Sequence, residues 1–504
     1  MNNAHKIGNV ICKLIRGIFV LMMFFIIVST IFIDKRIDNS FLNTVAHSNW
    51  VYYAFSLVLG AIAVCFVCRI SIPDRAYWLL LAAIAVGVAV WEYMVVCCIA
   101  ENSGVDFRNI QAAAMGLAEG ESFSEYPYFA TSPNNANLAI LLSYLYRIVP
   151  SWKAITLAGA LCTDASAVLV SLSVRNYTQD NSAGVVSLVA SCLLMAMTLR
   201  SFFVYTDNFG MLFISGGLYI LSLNLERKIK IPLFLVVSAM GAYIKVTCAL
   251  VVIAMLACYC LMELRESESM AGMIKRIGAA LVLSAIVFVL LYTAQEALRA
   301  RHGLEKGEYA KGWQYMLMVG QNTESYGTVN PEDSELRASF IEEYRDPQSV
   351  KDACRDEAFA RIRSRGIMGN VKYVLAKLDV GYGDGYFNNV QMLSDDGSGW
   401  ILRDVYQMDG KYYQVPANIL QCLWMWVLAV FLVGSALTFR KRTPRSYLME
   451  FYEMMVCGIT LYLLCFEGRS KYIFMFLPIY LILFGVLLKE IGGEARRAFG
   501  RRGE

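Results

Sequence analysis

Long apolar runs separated by short polar joints dominate the chain. Their pattern predicts twelve membrane spans, at 17–33, 50–70, 76–100, 152–174, 184–204, 208–225, 231–243, 246–262, 276–296, 417–439, 447–466 and 472–488. Most approach the ~20 apolar residues that cross a bilayer. Segment 134–149, NNANLAILLSYLYRIV, is apolar but short and opens with Asn134, Asn135 and Asn137. It is expected as a surface or partly re-entrant helix. Segment 231–262 would be ~48 Å long as a single helix, against a hydrocarbon core of ~30 Å. Gly241 and Lys245 lie at its centre, so a break there is expected, giving two short helices and bringing Lys245 toward water. The alternative is a spanning 134–149 with an unbroken 231–262. It would place the basic sequence ERKIK outside and Asp207 inside.

Two polar islands interrupt the apolar pattern. In the first, Glu101–Asn135, Phe107, Ile110, Ala114 and Leu117 recur at helical spacing. Asp106–Glu119 therefore predicts an amphipathic helix along the membrane surface, with Asp106 in its first turn. An aromatic, amide-rich loop follows, with Tyr126, Pro127, Tyr128, Asn134 and Asn135. The second island, 299–416, predicts helices at Glu332–Tyr344, Ser349–Arg365 and Gly369–Leu378, and turns in GYGDGYFNNV and SDDGSGW. It is expected as a soluble insertion outside the membrane. The chain thus divides into an N-terminal transmembrane module (1–298), the insertion (299–416), and C-terminal helices with a basic tail (417–504). The expected class is an all-α polytopic membrane protein.

Composition agrees: 57% of the 504 residues are hydrophobic, 17% are charged, and mean hydropathy is +0.49. The placement of charge says more than its total of +4. Lys6, Lys13 and Arg16, then Arg69 and Arg75, Arg175, Arg227, Lys228 and Lys230, and Arg265, Lys275 and Arg276 fall in alternate segments. RKRTPR from Arg440 and the tail residues Arg496, Arg497, Arg501 and Arg502 continue the series. Lysine and arginine concentrate on the cytoplasmic side, so both termini are expected inside and both polar islands outside. The 14 cysteines lie mostly in apolar runs, and the insertion holds only Cys354. Neither a disulfide framework nor a CxxC metal spacing is offered. The first apolar run has no small-residue cleavage pattern after it and is expected to be retained.

That topology collects polar residues at the outer mouths of the helices: Asp106, Asp207 in YTDN, Lys245, and Glu467, Arg469, Lys471 and Tyr472 in EGRSKY. Ionisable groups at membrane depth are costly, and several on one face suggest a site. Carboxylates can deprotonate a hydroxyl nucleophile. Arginine and lysine can hold a phosphate as it leaves an anomeric carbon. The bland alternatives are equally concrete. Asp106 and Asp207 can be helix caps, Arg469 and Lys471 interface anchors, and Lys245 a partner for a carbonyl or carboxylate. Glu92 and Asp164 lie inside spans, where transporters place ion paths.

In order along residues 80–490, VDFRNIQAAAMGLAEGE, YPYFATSPNN, YTDNFGMLF, GAYIKVTCALVVIA, QNTESYGTVNPED and EGRSKYIFMFLP resemble the motifs of the GT-C superfamily of membrane glycosyltransferases. That superfamily includes the protein mannosyltransferases and the lipid A aminoarabinose transferase. The resemblance implies a polyprenyl-phosphate sugar as co-substrate, with no other cofactor. It implies Asp106 as catalytic base, Asp207 as the second outer carboxylate, and Arg469 and Lys471 near the lipid phosphate. Lys245, Tyr472, Tyr126, Asn134 and Asn135 complete the expected binding set. Lys471 departs from the arginine common at its position, and the acidic pair of the protein mannosyltransferases is absent, since Val105 and Phe107 flank Asp106. No DxD triplet occurs, so a metal is not expected. The expected partners are a membrane lipid and an extracytoplasmic glycan, glycolipid or protein acceptor, not nucleic acid. A transporter or flippase of lipid-linked sugar and a non-catalytic subunit of an envelope assembly are the competing expectations.

Overall fold

The structure is a computed structural model and describes residues 2–33, 49–102, 104–267, 269–305, 307–387, 393–395, 401–407, 410–439 and 446–500. RKRTPR from Arg440, Arg501, Arg502 and most of the expected turn sequence between 388 and 400 lie outside the described residues.

The chain opens with α1 (Asn2–Phe32), α2 (Asn49–Arg69) and α3 (Asp74–Cys97). A short strand, β1 (Ile99–Asn102), leads into α4 (Val105–Glu119), the single turn α5 (Tyr128–Thr131) and α6 (Ala136–Ile148). Next come α7 (Trp152–Thr178), α8 (Asn181–Ser191), α9 (Thr206–Ser222), α10 (Arg227–Ile244), α11 (Ala249–Glu266) and α12 (Met270–Arg301). The insertion folds as α13 (Trp313–Gly320), α14 (Pro331–Tyr344), α15 (Pro347–Ser364), α16 (Gly366–Tyr382) and β2 (Leu393–Asp395). The last elements are α17 (Gln414–Thr438), α18 (Ser446–Cys465), α19 (Lys471–Phe474) and α20 (Leu477–Gly500).

The protein is an all-α polytopic membrane protein. Eight helices among the described residues are long and apolar enough to cross a bilayer: α1, α2, α3, α7, α11, α12, α17 and α18. The other four expected spans differ for local reasons. α9 has 17 residues, α10 carries Arg227, Lys228 and Lys230 within its 18, and α20 carries Lys489, Glu490 and Glu494. The expected span 184–204 ends early. Helix α8 loosens into a π-turn at Cys192–Ala196, and Leu199–Phe202 is a separate 3-10 turn. Of the two contested segments, 134–149 forms the 13-residue α6, about 20 Å long, packed on α4. Segment 231–262 is broken, with Lys245 in extended conformation at the joint.

Named contacts define the two ends of the bundle. At one end Lys153 donates to the Cys97 carbonyl, and Asn49 donates to the carbonyls of Thr30 and Gly383. At the other, Arg16 pairs with Glu453 (3.2 Å), Arg265 with Glu450 (2.7 Å) and Lys489 with Asp180. The first two pairs are buried and tie α1 and α11 to α18, where a lone charge would be costly. Between the ends lies an aromatic and aliphatic core in which Trp424, Tyr382, Tyr480 and Phe431 are packed together.

Small residues set the approach of α9 to α10. A Cβ at Gly217 would lie 2.7 Å from Ser238 Oγ, and one at Gly241 would lie 2.9 Å from Phe213 Cβ. In lipid, association depends on such close packing because the solvent is as apolar as the side chains. This approach brings the end of α10, and with it Lys245, to the start of α9 and Asp207.

Candidate functional site

Asp106 lies in the first turn of α4, but Gly104 is the N-cap and makes no side-chain cap bond. The Asp106 carboxylate is exposed and accepts a hydrogen bond from the Tyr128 hydroxyl at 2.9 Å. Asn135, buried at the start of α6, donates to the same hydroxyl, and Asn134 donates to Asn135 at 3.3 Å. Burial and the neighbouring Asp106 push the Tyr128 hydroxyl well above its ordinary range, so it keeps its proton and stays a donor. The loop is fixed from below by Phe123 and Phe129, both buried with rings 4.8 Å apart.

Asp207 is the second residue of α9, after the N-cap Tyr205. It is not a cap either. It is 2% exposed and sits between two cations, Arg200 at 3.0 Å and Lys245. Its oxygens are thus committed to an ion triad that ties both cations to the start of α9. Arg200, 5% exposed, lies on the 3-10 turn that interrupts the expected span. The Lys245 ammonium lies 5.1 Å from the Tyr205 ring centre and 5.9 Å from that of Tyr472.

The third group is the turn between α18 and α19. Lys471 lies 4.8 Å from the Tyr472 ring centre and 3.6 Å from Glu467. Two ammonium groups therefore flank one tyrosine ring. Burial works to raise the Glu467 carboxyl, yet it sits below its ordinary value because Lys471, the Tyr472 hydroxyl and Arg469 face it. Arg469 is 8% exposed and donates to the Val329 carbonyl at 2.9 Å, leaving its Nε without a hydrogen-bond partner.

Tyr205 connects the three groups. Its ring lies 5.3 Å from Phe107 of α4. Its hydroxyl is raised by burial and by the carboxylates of Asp106 and Asp207, with Glu467 adding to the same field. Asp106 also contributes to the field at Lys471. Residues from α4, α9, the α10–α11 joint and the α18–α19 turn thus meet at one end of the bundle, where Arg200, Lys245, Arg469 and Lys471 face three carboxylates. Among the described residues no three His, Cys, Asp or Glu side chains gather as a metal-ligand set.

The insertion closes on this site from two directions. β2 pairs antiparallel with β1, immediately before α4. Across the site, Lys377 of α16 donates to the carbonyls of Gly320, Leu464 (3.1 Å) and Phe466 (2.6 Å). Gln321 donates to the carbonyls of Leu464 and Cys465, and the Gly468 amide donates to the Gly327 carbonyl.

Of the residues expected from sequence, Asp106, Asn134, Asn135, Asp207, Lys245, Arg469, Lys471 and Tyr472 come together. Tyr126 does not. The turn Phe123–Glu125 leaves it beside the far end of α4, where its hydroxyl donates to Glu121 and the Ala112 carbonyl. There it lines a separate groove of about 360 Å³ with Arg108, Gln111 and Glu119. Tyr128, two residues on, holds the place next to Asp106. Arg200 was hidden because hydropathy absorbed it into a span, although an arginine inside an apolar run is itself a signal. Tyr205 and Lys377 gave no distinguishing pattern.

A family model described as "Conserved hypothetical integral membrane protein" matches residues 5–491. No curated protein and no solved structure matches the chain.

Proposed function

Since the chain belongs to that family of conserved integral membrane proteins, whose description specifies no chemistry, we propose a function from the site itself: a membrane glycosyltransferase of GT-C type. It takes a sugar from a polyprenyl-phosphate donor and transfers it to an acceptor hydroxyl on the non-cytoplasmic side. The acceptor is a cell-wall polymer, a glycolipid or a protein. The supporting observation is that the Asp106–Tyr128 pair shares its end of the bundle with two lysines that flank Tyr472.

In this mechanism Asp106 accepts the proton of the acceptor hydroxyl. The hydroxyl oxygen forms a bond to the anomeric carbon as the bond from that carbon to the phosphate oxygen breaks. The electron pair leaves with the phosphate, whose charge is met by Lys245 and Lys471. A single in-line displacement inverts the anomeric centre. Tyr128 and Asn135 orient the base, Asp207 and Arg200 hold Lys245, and no step passes through a metal. The distribution of lysine and arginine over the loops supports a site outside and both termini in the cytoplasm.

The test is Asp106→Asn in purified protein with labelled polyprenyl-phosphate sugars. A transferase loses transfer by about 100-fold or more while donor binding persists. Unchanged transfer overturns the assignment. A second function, transport of lipid-linked sugar, draws support from Glu92 and Asp164. Both are buried inside spans with Glu92 Oε2 and Asp164 Oδ1 lacking hydrogen-bond partners. Donor crossing vesicles without a covalent product, and lost in Glu92→Gln, favours that function over transfer.

A further inference from the structure

The insertion is expected from its sequence to sit in water, and α14 and α15 fit that expectation. Their outward positions include Glu332, Glu335, Glu342 and Asp356, all exposed. α16 does not. Ile367, Met368, Val371 and Val374 are 88%, 67%, 49% and 38% exposed, and their spacing puts them on one stripe of the helix. Lys372, exposed, stands at the margin of that stripe, and Arg363, also exposed, lies just before the helix.

The opposite side of α16 is fully engaged. Tyr373 donates to the carbonyls of Gly320 (2.6 Å) and Asn322 (3.2 Å), and Lys377 holds the α18–α19 turn. Toward its C-terminus α16 enters the bundle. Tyr382 is fully buried, 2.9 Å from the Tyr480 hydroxyl and stacked with Trp424. The helix also packs along α1 and α18. Both are long and apolar enough to span, and α1 itself exposes Leu21, Phe24 and Phe25. The exposed stripe of α16 thus lies on a helix packed along a membrane-spanning neighbour whose own outward residues are apolar. The other helices of the insertion each expose a single large apolar residue (Trp313, Tyr344 and Phe359), whereas a stripe of four marks contact with a non-aqueous partner, and the packing along α1 identifies that partner.

We infer that α16 is seated in the lipid leaflet at the site end of the bundle. Ile367, Met368, Val371 and Val374 contact acyl chains, while Lys372 and Arg363 remain at the level of the headgroup phosphates. The insertion is then anchored to the bilayer on one side and to the site turn on the other. This holds whichever chemistry the site performs.

The test uses the full chain in phosphatidylcholine–phosphatidylglycerol vesicles, with Ile367→Trp and Val371→Trp made separately and the wild-type emission subtracted. Phospholipids brominated on the acyl chain are expected to remove about half or more of the added signal. Aqueous iodide should quench it several-fold less than the signal of Glu342→Trp on α14. Iodide quenching equal to that control, or no effect of brominated lipid, overturns the inference. Protection from both quenchers also overturns it, because the stripe is then covered by protein. A readout without substitution is labelling of wild-type protein by a lipid carrying a diazirine on its acyl chain. Adducts mapping to 366–376 support the inference, and their absence there, with adducts present on α1, rejects it.

Discussion

The hydrogen bond from Tyr128 to Asp106 is the contact on which the proposed base depends. A hydrogen bond to a charged acceptor contributes about 1.5–3 kcal/mol, which corresponds to about ten- to a hundredfold in rate when it holds a catalytic group. Tyr128→Phe should therefore lower kcat by that factor and leave the donor KM nearly unchanged, as read from initial rates over a donor titration. An equal loss in both parameters would point to a collapsed loop instead. Glu467 makes a prediction about pH. Its folded pKa lies below its ordinary value of 4.5. The stability it contributes is thus fully present above pH 4.5 and lost as pH falls through the lower folded value. Thermal unfolding in detergent between pH 7 and pH 3 should show wild type losing stability below pH 4.5 more steeply than Glu467→Gln.

At the scale of elements, the site is made at helix ends, where chain breaks expose polar groups. The joint between α10 and α11 lifts Lys245 out of regular helix, and the turn after α8 does the same for Arg200. A tightly constrained contact between elements is the end of α13 against the end of α18. A Cβ on Gly320 would lie 2.4 Å from the Phe466 carbonyl carbon and 2.6 Å from the Cys465 oxygen, and backbone cannot move aside as a flexible side chain does. Gly320→Ala should destabilise this docking by about 1–3 kcal/mol, seen as faster tryptic cleavage within α14 and α15 under native conditions. The substitution leaves every charged side chain of the site in place, so a wild-type cleavage rate would show that the contact is looser than its geometry implies.

Across the whole molecule, the insertion connects the two halves of the site. It reaches the Asp106 side through β2 on β1 and the cationic turn through Lys377 and Gln321. Lys377→Met keeps the length of the side chain but leaves three carbonyls without their shared donor, at a cost of about 1–3 kcal/mol. In the proposed transferase the consequence falls on the phosphate side, so the donor KM should rise by more than kcat falls. The reverse pattern in a steady-state comparison would place the insertion on the acceptor side. The same connection explains how 504 residues bring together Asp106 and Lys471, which are far apart in the chain. The spans carry the segments to one end, and the insertion bridges them there.

The sequence by itself determined the features that periodicity and transfer free energy control. Apolar runs identified the membrane class, the spacing of Phe107, Ile110, Ala114 and Leu117 identified α4, and the excess length of 231–262 identified the break at Lys245. Asp106, Asp207, Lys245 and Lys471 were legible because charge next to an apolar run is costly wherever it occurs. Tertiary structure alone decided which of these groups meet. It committed Asp207 to Arg200 and Lys245, gave the Asp106 contact to Tyr128 and not Tyr126, and turned an apolar face of α16 outward. These are properties of side-chain direction and of packing between elements far apart in the chain, and a local pattern of hydrophobic and polar residues carries no information about either.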